Sequence, residues 1–353
     1  MDTIAQTDFA EELVKLKAKV DATMLPEDLK DKATEMLSRL NRMINTGVYS
    51  AEYDRISHYI DWITSIPWGK TSTDKLDIVA AATNMNKSHY GMQETKDRIL
   101  EYLATIKLRM DQGGEKVVRA PAIFLVGLVG TGKTTFAYSL AETLGRQFAR
   151  IPFGGLGSAQ DLRGKSRLFA EAEPGHIVKA LRDAGSMNPI ILLDEIDRVG
   201  AEERADIMGV LVELLDPTQN NRFLDHYLDF PLDLSQVLFV ATANNTTNVA
   251  TAVLDRLELI QMPSYTDEEK IHISREYLLP KALKEAGLLP SQLIIDESVW
   301  PVVARPLGYD AGIRTLQRTL AALTRRVARE IVEGKTATVK VDINNYKQYM
   351  KAY

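Results

Sequence analysis

Eight consecutive residues, Gly127-Leu128-Val129-Gly130-Thr131-Gly132-Lys133-Thr134, constrain this chain more than any other stretch. They satisfy the phosphate-loop pattern G-x-x-x-x-G-K-[ST] at every required position. The apolar run Ala122-Ile123-Phe124-Leu125-Val126 just before them reads as a buried strand, and Thr135 to Glu142 just after reads as a helix. That strand–loop–helix setting is what the pattern needs in order to work. Glycines let backbone N–H groups close around phosphate oxygens, and the helix start adds the positive end of its dipole. Gly127, Gly130, Thr131, Gly132, Lys133, Thr134 and Thr135 are therefore the candidate phosphate-binding residues, with Lys133 reaching the outer phosphates. The Thr134 hydroxyl is also a candidate magnesium ligand.

A chain of 353 residues suits two or three domains. Its 45% apolar and 26% charged residues are ordinary for a globular protein with a sizeable core. A net charge of -5 and a pI near 5.7 argue against a general nucleic-acid binder, which carries a basic excess. The absence of cysteine removes disulfides, thiolate zinc sites and cysteine nucleophiles, and it suits a reducing interior. No apolar run approaches the roughly 20 residues of a membrane helix. The start of the chain, Met1 to Asp8, lacks the basic and apolar regions of a secretory signal. A cytoplasmic setting without a membrane partner is expected.

Three regions differ in pattern: an N-terminal helical region over 1–75, an α/β region over 76–263 and a small helical domain over 264–353. In the first, helix is expected from about Phe9 to Ser65. Pro26 suits a first helical turn, Leu29, Ala33, Met36, Leu37 and Leu40 follow at helical spacing, and Gly47 breaks the run. Ser50 reads as the cap of another helix, with Tyr53, Ile56, Ile60 and Ile63 on one face, ended by Pro67-Trp68-Gly69. In the second region, strands are expected at 122–126, 148–153, 190–193 and 237–241, with helices between them. Such alternation implies a parallel sheet that gathers ligands at the carboxyl ends of its strands. In the third, Thr266 to Glu269 is a helix-capping signal, and helix is expected onward to about Glu333. Val339, Val341 and Ile343 alternate with polar residues and suggest one half-buried strand.

The second chemical motif is Ile190-Ile191-Leu192-Leu193-Asp194-Glu195, a buried strand delivering two carboxylates to its end. Alone it is compatible with a strand meeting solvent. Paired with the phosphate loop it supplies what phosphoryl transfer requires, Asp194 for magnesium and Glu195 as general base for water. A third strand ends at Ala243-Asn244, where an amide suits either water positioning or a satisfied turn. Arg256, in Leu254-Asp255-Arg256-Leu257, is expected to be presented outward by a helix, and Arg314 is expected at the start of another. Either arginine could serve a phosphate or an ordinary ion pair; spacing does not choose between them.

The order of these motifs resembles the AAA+ ATPases, and the detail is similar to the Lon ATP-dependent proteases. Leu192 to Arg198, Glu213-Leu214-Leu215-Asp216-Pro217 and Asp225-His226-Tyr227-Leu228-Asp229 carry the resemblance in the middle of the chain. Tyr265 to Lys270, Tyr277 to Lys281 and Tyr309 to Arg314 carry it later, and Tyr59 to Trp62, Pro67 to Lys70 and His89-Tyr90-Gly91 earlier. The resemblance implies an AAA+ P-loop parallel sheet with flanking helices, plus N-terminal helices and a small C-terminal helical domain. It implies binding of ATP and ADP with Mg2+, and ATP hydrolysis driving protein unfolding and translocation. Residue by residue, it makes Gly127 to Thr134 Walker A, Asp194 and Glu195 Walker B, and Asn244 sensor 1. Arg256 becomes the arginine finger acting on a neighbour and Arg314 sensor 2. His89, Tyr90 and Tyr265 fall in the family's adenine pocket. The implied partners are copies of the chain in a six-membered ring, and unfolded polypeptide.

Two departures stand out. The family's pore loop carries Tyr-Ile-Gly before Pro-Gly, where this chain has Leu168-Phe169-Ala170-Glu171-Ala172-Glu173 before Pro174-Gly175. Phe169 and Ala170 are thus the candidate substrate-gripping residues, with two carboxylates beside them. The phosphate loop has Leu128-Val129 where the family commonly has two prolines. The family's peptidase uses a serine and a lysine in a later domain, whereas the last serine here is Ser298, and 336–353 are too few residues for such a domain. These residues are not expected to cut peptide bonds themselves. Asn344 to Tyr349 resembles the family's linker into the peptidase, so a trimmed protease motor and a stand-alone ATPase or nucleotide-regulated scaffold both remain open.

Overall fold

The structure, a computed structural model, describes residues 2–45, 51–111, 121–169, 171–305 and 312–350. Gly47, Ser50, Ala170 and the stretch 308–311 fall outside them. The N-terminal helices are α1 (Asp2–Ala22), α2 (Glu27–Asn45) and α3 (Ala51–Ser65). Pro26 directly precedes α2, and both apolar stripes read from the sequence face inward: Leu29, Ala33 and Leu40 are fully buried, as are Ile60 and Ile63.

Helices α4 (Ile78–Ser88) and α5 (Gln93–Asp111) lead into strand β1 (Ala122–Val126) and helix α6 (Lys133–Leu144). Next come β2 (Phe148–Pro152), α7 (Ala159–Arg163), α8 (His176–Ala184), β3 (Ile190–Asp194) and α9 (Arg204–Leu214). A small hairpin, β4 (Phe223–Asp225) and β5 (Phe230–Leu232), precedes β6 (Leu238–Ala243), α10 (Thr251–Leu254) and β7 (Leu257–Gln261). The main sheet runs β2-β3-β6-β1-β7, with every neighbouring pair parallel. Pairing of Val126 with Ala243 and of Pro152 with Asp194 brings the carboxyl ends of these strands to one edge.

Strand alternation sends side chains to two cores. Phe124, Ile191, Leu193 and Phe239 pack toward α7 to α10 and share one apolar cluster with the N-terminal helices. Ile123, Leu125, Leu192 and Val240 pack toward α4, α5 and α6. A third core lies in the small domain, formed by α11 (Asp267–Ile273), α12 (Leu279–Glu285), β8 (Leu293–Ile295), α13 (Trp300–Ala304), α14 (Arg314–Val332), β9 (Val339–Val341) and α15 (Tyr346–Tyr349).

Some boundaries differ from the sequence reading. Strand β2 stops at Pro152 because Phe153 begins a tight turn, and β6 runs on through Thr242 and Ala243. The helix expected from Tyr265 to Glu333 is interrupted by β8, which pairs in parallel with β9. Strand β9 ends at Val341, before Ile343, because the Asp342 carboxylate turns the chain by accepting the N–H groups of Asn344 and Asn345.

Candidate active site

The candidate phosphate loop is held together by its own local contacts. Gly132, at φ +95°, sits where a residue with a Cβ is strained, and it opens α6. Lys133 is buried against the loop and donates to the carbonyls of Gly127 (2.5 Å) and Leu128 (3.0 Å) and to Asn244 Oδ1 (3.1 Å). Burial pushes its amine below the usual lysine range, while Asp197, Glu195 and Asp194 pull it back up. The Thr131 hydroxyl closes the loop by donating to the Leu128 carbonyl at 2.9 Å.

Strand β3 delivers Asp194 beside this lysine. Its Oδ1 accepts from the Thr242 hydroxyl at 2.6 Å, and its Oδ2 from Arg150 Nε at 2.7 Å. Thr242 in turn accepts the Glu195 N–H at 2.9 Å, so one hydroxyl orients both acids. Glu195 has left-handed backbone (φ +58°, ψ +51°), a conformation that costs a non-glycine residue on the order of 1–3 kcal/mol. Its carboxylate is held 3.3 Å from Arg198 Nε. Asp197, also buried, accepts the Asn244 N–H at 3.1 Å and so anchors the end of β6.

The small domain closes the other side. The Ile313 N–H donates to the Gly130 carbonyl at 3.2 Å, and a Cβ on Gly312 would stand 2.5 Å from the Val129 carbonyl. Arg314 therefore enters the site at the first turn of α14. Gly130, Gly132, Lys133, Thr134, Thr135, Asp194, Glu195, Asn244 and Arg314 line one cleft of about 160 Å³. Among the described residues no three His, Cys, Asp or Glu side chains are placed to hold a metal by themselves. One hydroxyl and one or two carboxylates facing a phosphate loop is the donor set that suits Mg2+, which takes its other ligands from phosphates and water.

The three candidate pocket aromatics separate. His89 and Tyr265 both approach the loop: a Cβ on Gly132 would lie 3.3 Å from His89 Nε2 and 3.7 Å from the Tyr265 hydroxyl. The His89 ring packs 3.9 Å from that of Phe136, and burial pushes its pKa down to about 4. Tyr90 instead stacks on His272 of α11 at 3.9 Å.

Arg256 lies outside the cleft of its own chain. It sits in the turn between α10 and β7, not on a helix face, and pairs with Asp216 Oδ2 at 3.1 Å. That is a correction to the expected helical presentation; α10 is only four residues long and ends at Leu254. Phe169 is also not among the residues that line the cleft. It is 62% exposed and Leu168 beside it 89% exposed, at the tip of a loop whose ends are joined by the Lys165 N–H and the Glu173 carbonyl at 3.0 Å. Glu173 pairs with Lys179 at 2.6 Å, while Arg167 lies over the Tyr59 ring of α3 at 4.1 Å.

Arg150, Arg198, Asp197 and Thr242 were not singled out by the sequence reading. Arg150 and Arg198 look like ordinary surface arginines in sequence, and only strand pairing brings the first to Asp194. Asp197 and Thr242 could have been found, since each lies two positions from a motif residue, and Thr242 is polar within an apolar strand.

A five-stranded parallel sheet with this strand order, a phosphate loop on β1, an acid pair on β3 and a helical lid touching the loop defines an AAA+ ATPase. The family model of ATPases associated with various cellular activities matches residues 123–265, and that of the Lon protease AAA+ ATPase lid domain matches residues 284–340. The chain is 41% identical to a Lon protease of Lawsonia intracellularis over 97% of its own length and 40% of the relative's. It is 39% identical to one of Syntrophomonas wolfei, covering 97% of the chain and 41% of that protein. A Lon protease of the Aster yellows witches'-broom phytoplasma is 42% identical over 96% of the chain and 42% of its own length. The chain belongs to the Lon protease family through its AAA+ portion, and it spans about two fifths of the length of the curated relatives it matches. No helix among the described residues is long and apolar enough to cross a membrane.

Proposed function

We propose that this AAA+ module hydrolyses ATP with magnesium in the cytoplasm and uses the energy to unfold and translocate protein within a hexameric ring. The observation that carries this is the meeting of Lys133, Asp194, Glu195, Asn244 and Arg314 around one cleft. The loop N–H groups and Lys133 receive the outer phosphates, and Arg314 adds a second cation from the lid. Thr134 and Asp194 hold the metal, which when bound neutralises charge across the phosphates. Glu195 takes the proton of the attacking water, and the Asn244 amide orients that water. Arg256 leaves Asp216 to reach the phosphate of a neighbouring copy. His89 and Tyr265 flank the adenine, and Tyr90 borders it from the α4–α5 turn. Phe169 and Ala170 grip the threaded chain. Peptide-bond cleavage is not among the activities of these residues.

The cleft of about 160 Å³ is smaller than the roughly 300 Å³ at which ligand pockets begin, so nucleotide entry calls for the site to widen. The reading is tested by ATPase rate against protein concentration, with and without an unfolded polypeptide. A rate per subunit that rises with concentration supports sites completed between copies, and stimulation by polypeptide supports a threading motor. A rate insensitive to both would remove the motor and leave a solitary ATPase.

A further inference from the structure

Asp194 is held by more than the usual strand geometry. Its two oxygens are engaged separately: the deep one, Oδ1, by the Thr242 hydroxyl, and Oδ2 by the Arg150 guanidinium. Both Nε and Nη2 of Arg150 reach Oδ2, at 2.7 and 2.6 Å. The contact follows from the sheet. Arg150 pairs with Leu192 in the β2–β3 register, two residues before Asp194, so both side chains stand on the same face. Strand β2 is at the sheet edge, which lets a side chain that is 52% exposed lean over a carboxylate that is 5% exposed.

We propose that Arg150 is a positioning residue that holds Asp194 by the oxygen a magnesium ion needs, and so sets how much magnesium is required for tight ATP binding. The claim rests on the reading of Asp194 as a metal ligand. Oδ1 faces the buried Thr242 hydroxyl, whereas Oδ2 lies on the half-exposed side with Arg150, which makes Oδ2 the oxygen that a metal ion would reach, directly or through water. A guanidinium that donates through Nε to that oxygen, with Nη2 also in ion-pair contact, is a charge-assisted partner and competes with a cation for it. Arg150 also offsets the Asp194 charge whenever a triphosphate is bound without metal, which favours metal-free binding.

The test is titration of Mg2+ into the protein with a fluorescent, non-hydrolysable ATP analogue, so that the readout is binding and not turnover. Arg150→Met is expected to lower the Mg2+ midpoint by about three- to tenfold, the range for one half-exposed charge-assisted pair. Arg150→Lys, which keeps the charge and loses the fork, is expected to fall between. In EDTA, Arg150→Met is expected to bind the analogue more weakly than the native chain, yet measurably, which also shows that its site is folded. An unchanged or higher midpoint in Arg150→Met overturns the proposal while the metal reading stands. Binding by the native chain that ignores Mg2+, with Asp194→Asn equally indifferent, overturns the metal reading and the proposal with it.

Discussion

Lys133 and Asn244 lie 111 positions apart in the chain and meet at 3.1 Å, amine against amide oxygen. The contact joins the helix after β1 to the end of β6, and it exists because these strands are neighbours in one parallel sheet. Asp197 fixes the amide's backbone from the β3 side, so the three strand ends are cross-linked by polar side chains. The groups that line the cleft are thereby oriented by the fold itself.

The amine is the first group to test. Lys133→Ala removes a buried cation and leaves two loop carbonyls and Asn244 without their donor. Losing one partner of a buried charge-assisted contact costs about 2 kcal/mol or more, which is upward of roughly thirtyfold in affinity. Fluorescent ATP titration is expected to show that loss, and native affinity in the variant would detach Lys133 from the nucleotide.

Glu195 is expected to matter for turnover and not for binding. Glu195→Gln keeps the shape of the side chain but cannot accept a proton from water. Steady-state hydrolysis is expected to drop by about two to four decades, the usual worth of a general base. Binding of ATP should remain within a fewfold of native. Normal hydrolysis by the variant would assign the base elsewhere.

Arg256 calls for a mixing experiment because its own chain pairs it with Asp216. Arg256→Ala is expected to lower hydrolysis by about three to five decades if the arginine acts on a neighbour's phosphate. Mixing it with Glu195→Gln subunits should restore part of the activity, since one interface then has an intact acid facing an intact arginine. An Arg256→Ala protein with native rate would end the trans assignment.

Much of this was legible in the sequence, and the gaps have physical reasons. Strands β1, β3 and β6 are buried on both faces, so their residues form continuous apolar runs that stand out. Strand β7, Leu257-Glu258-Leu259-Ile260-Gln261, is a sheet edge with only Ile260 buried, and its mixed composition hid it. Strands β8 and β9 have three residues each and pair across more than forty positions, a distance no local pattern reports. The helix capping box at Thr266 and Glu269 was readable because both partners lie within one turn. Arg150 was not, because its partner belongs to another strand.

His89 links the pocket to pH. Burial lowers its pKa from the ordinary 6.5 to about 4, so the fold prefers the neutral ring. Its stabilising contribution is therefore complete above about pH 6.5 and is lost as pH falls toward 4, where the folded protein must accept the proton. His89→Asn retains a polar side chain that does not titrate. Thermal unfolding midpoints followed from pH 7.5 to 4.5 should decline less steeply in the variant than in the native chain. Parallel curves would show that another group controls the acid limb.

The segment between α3 and α4 is secured by an ion pair that offers the sharpest stability test. Arg146, at the end of α6, donates through Nε and Nη2 to the two oxygens of Asp74 at 2.6 and 2.7 Å, and through Nη1 to the Gln236 carbonyl at 2.8 Å. Both side chains are nearly sequestered, at 4% and 9% exposure, so the surviving charge has no water to turn to when its partner is removed. Asp74→Ala is accordingly expected to destabilise the protein by about 3–5 kcal/mol in urea unfolding. The double variant Asp74→Ala, Arg146→Met should recover much of that loss, because a buried ion pair replaced by apolar groups of similar volume is often nearly neutral. A small loss in the single variant would mean that Arg146 reaches solvent by moving aside. No recovery in the double variant would mean that the Gln236 contact, and not the charge, carries the stabilisation.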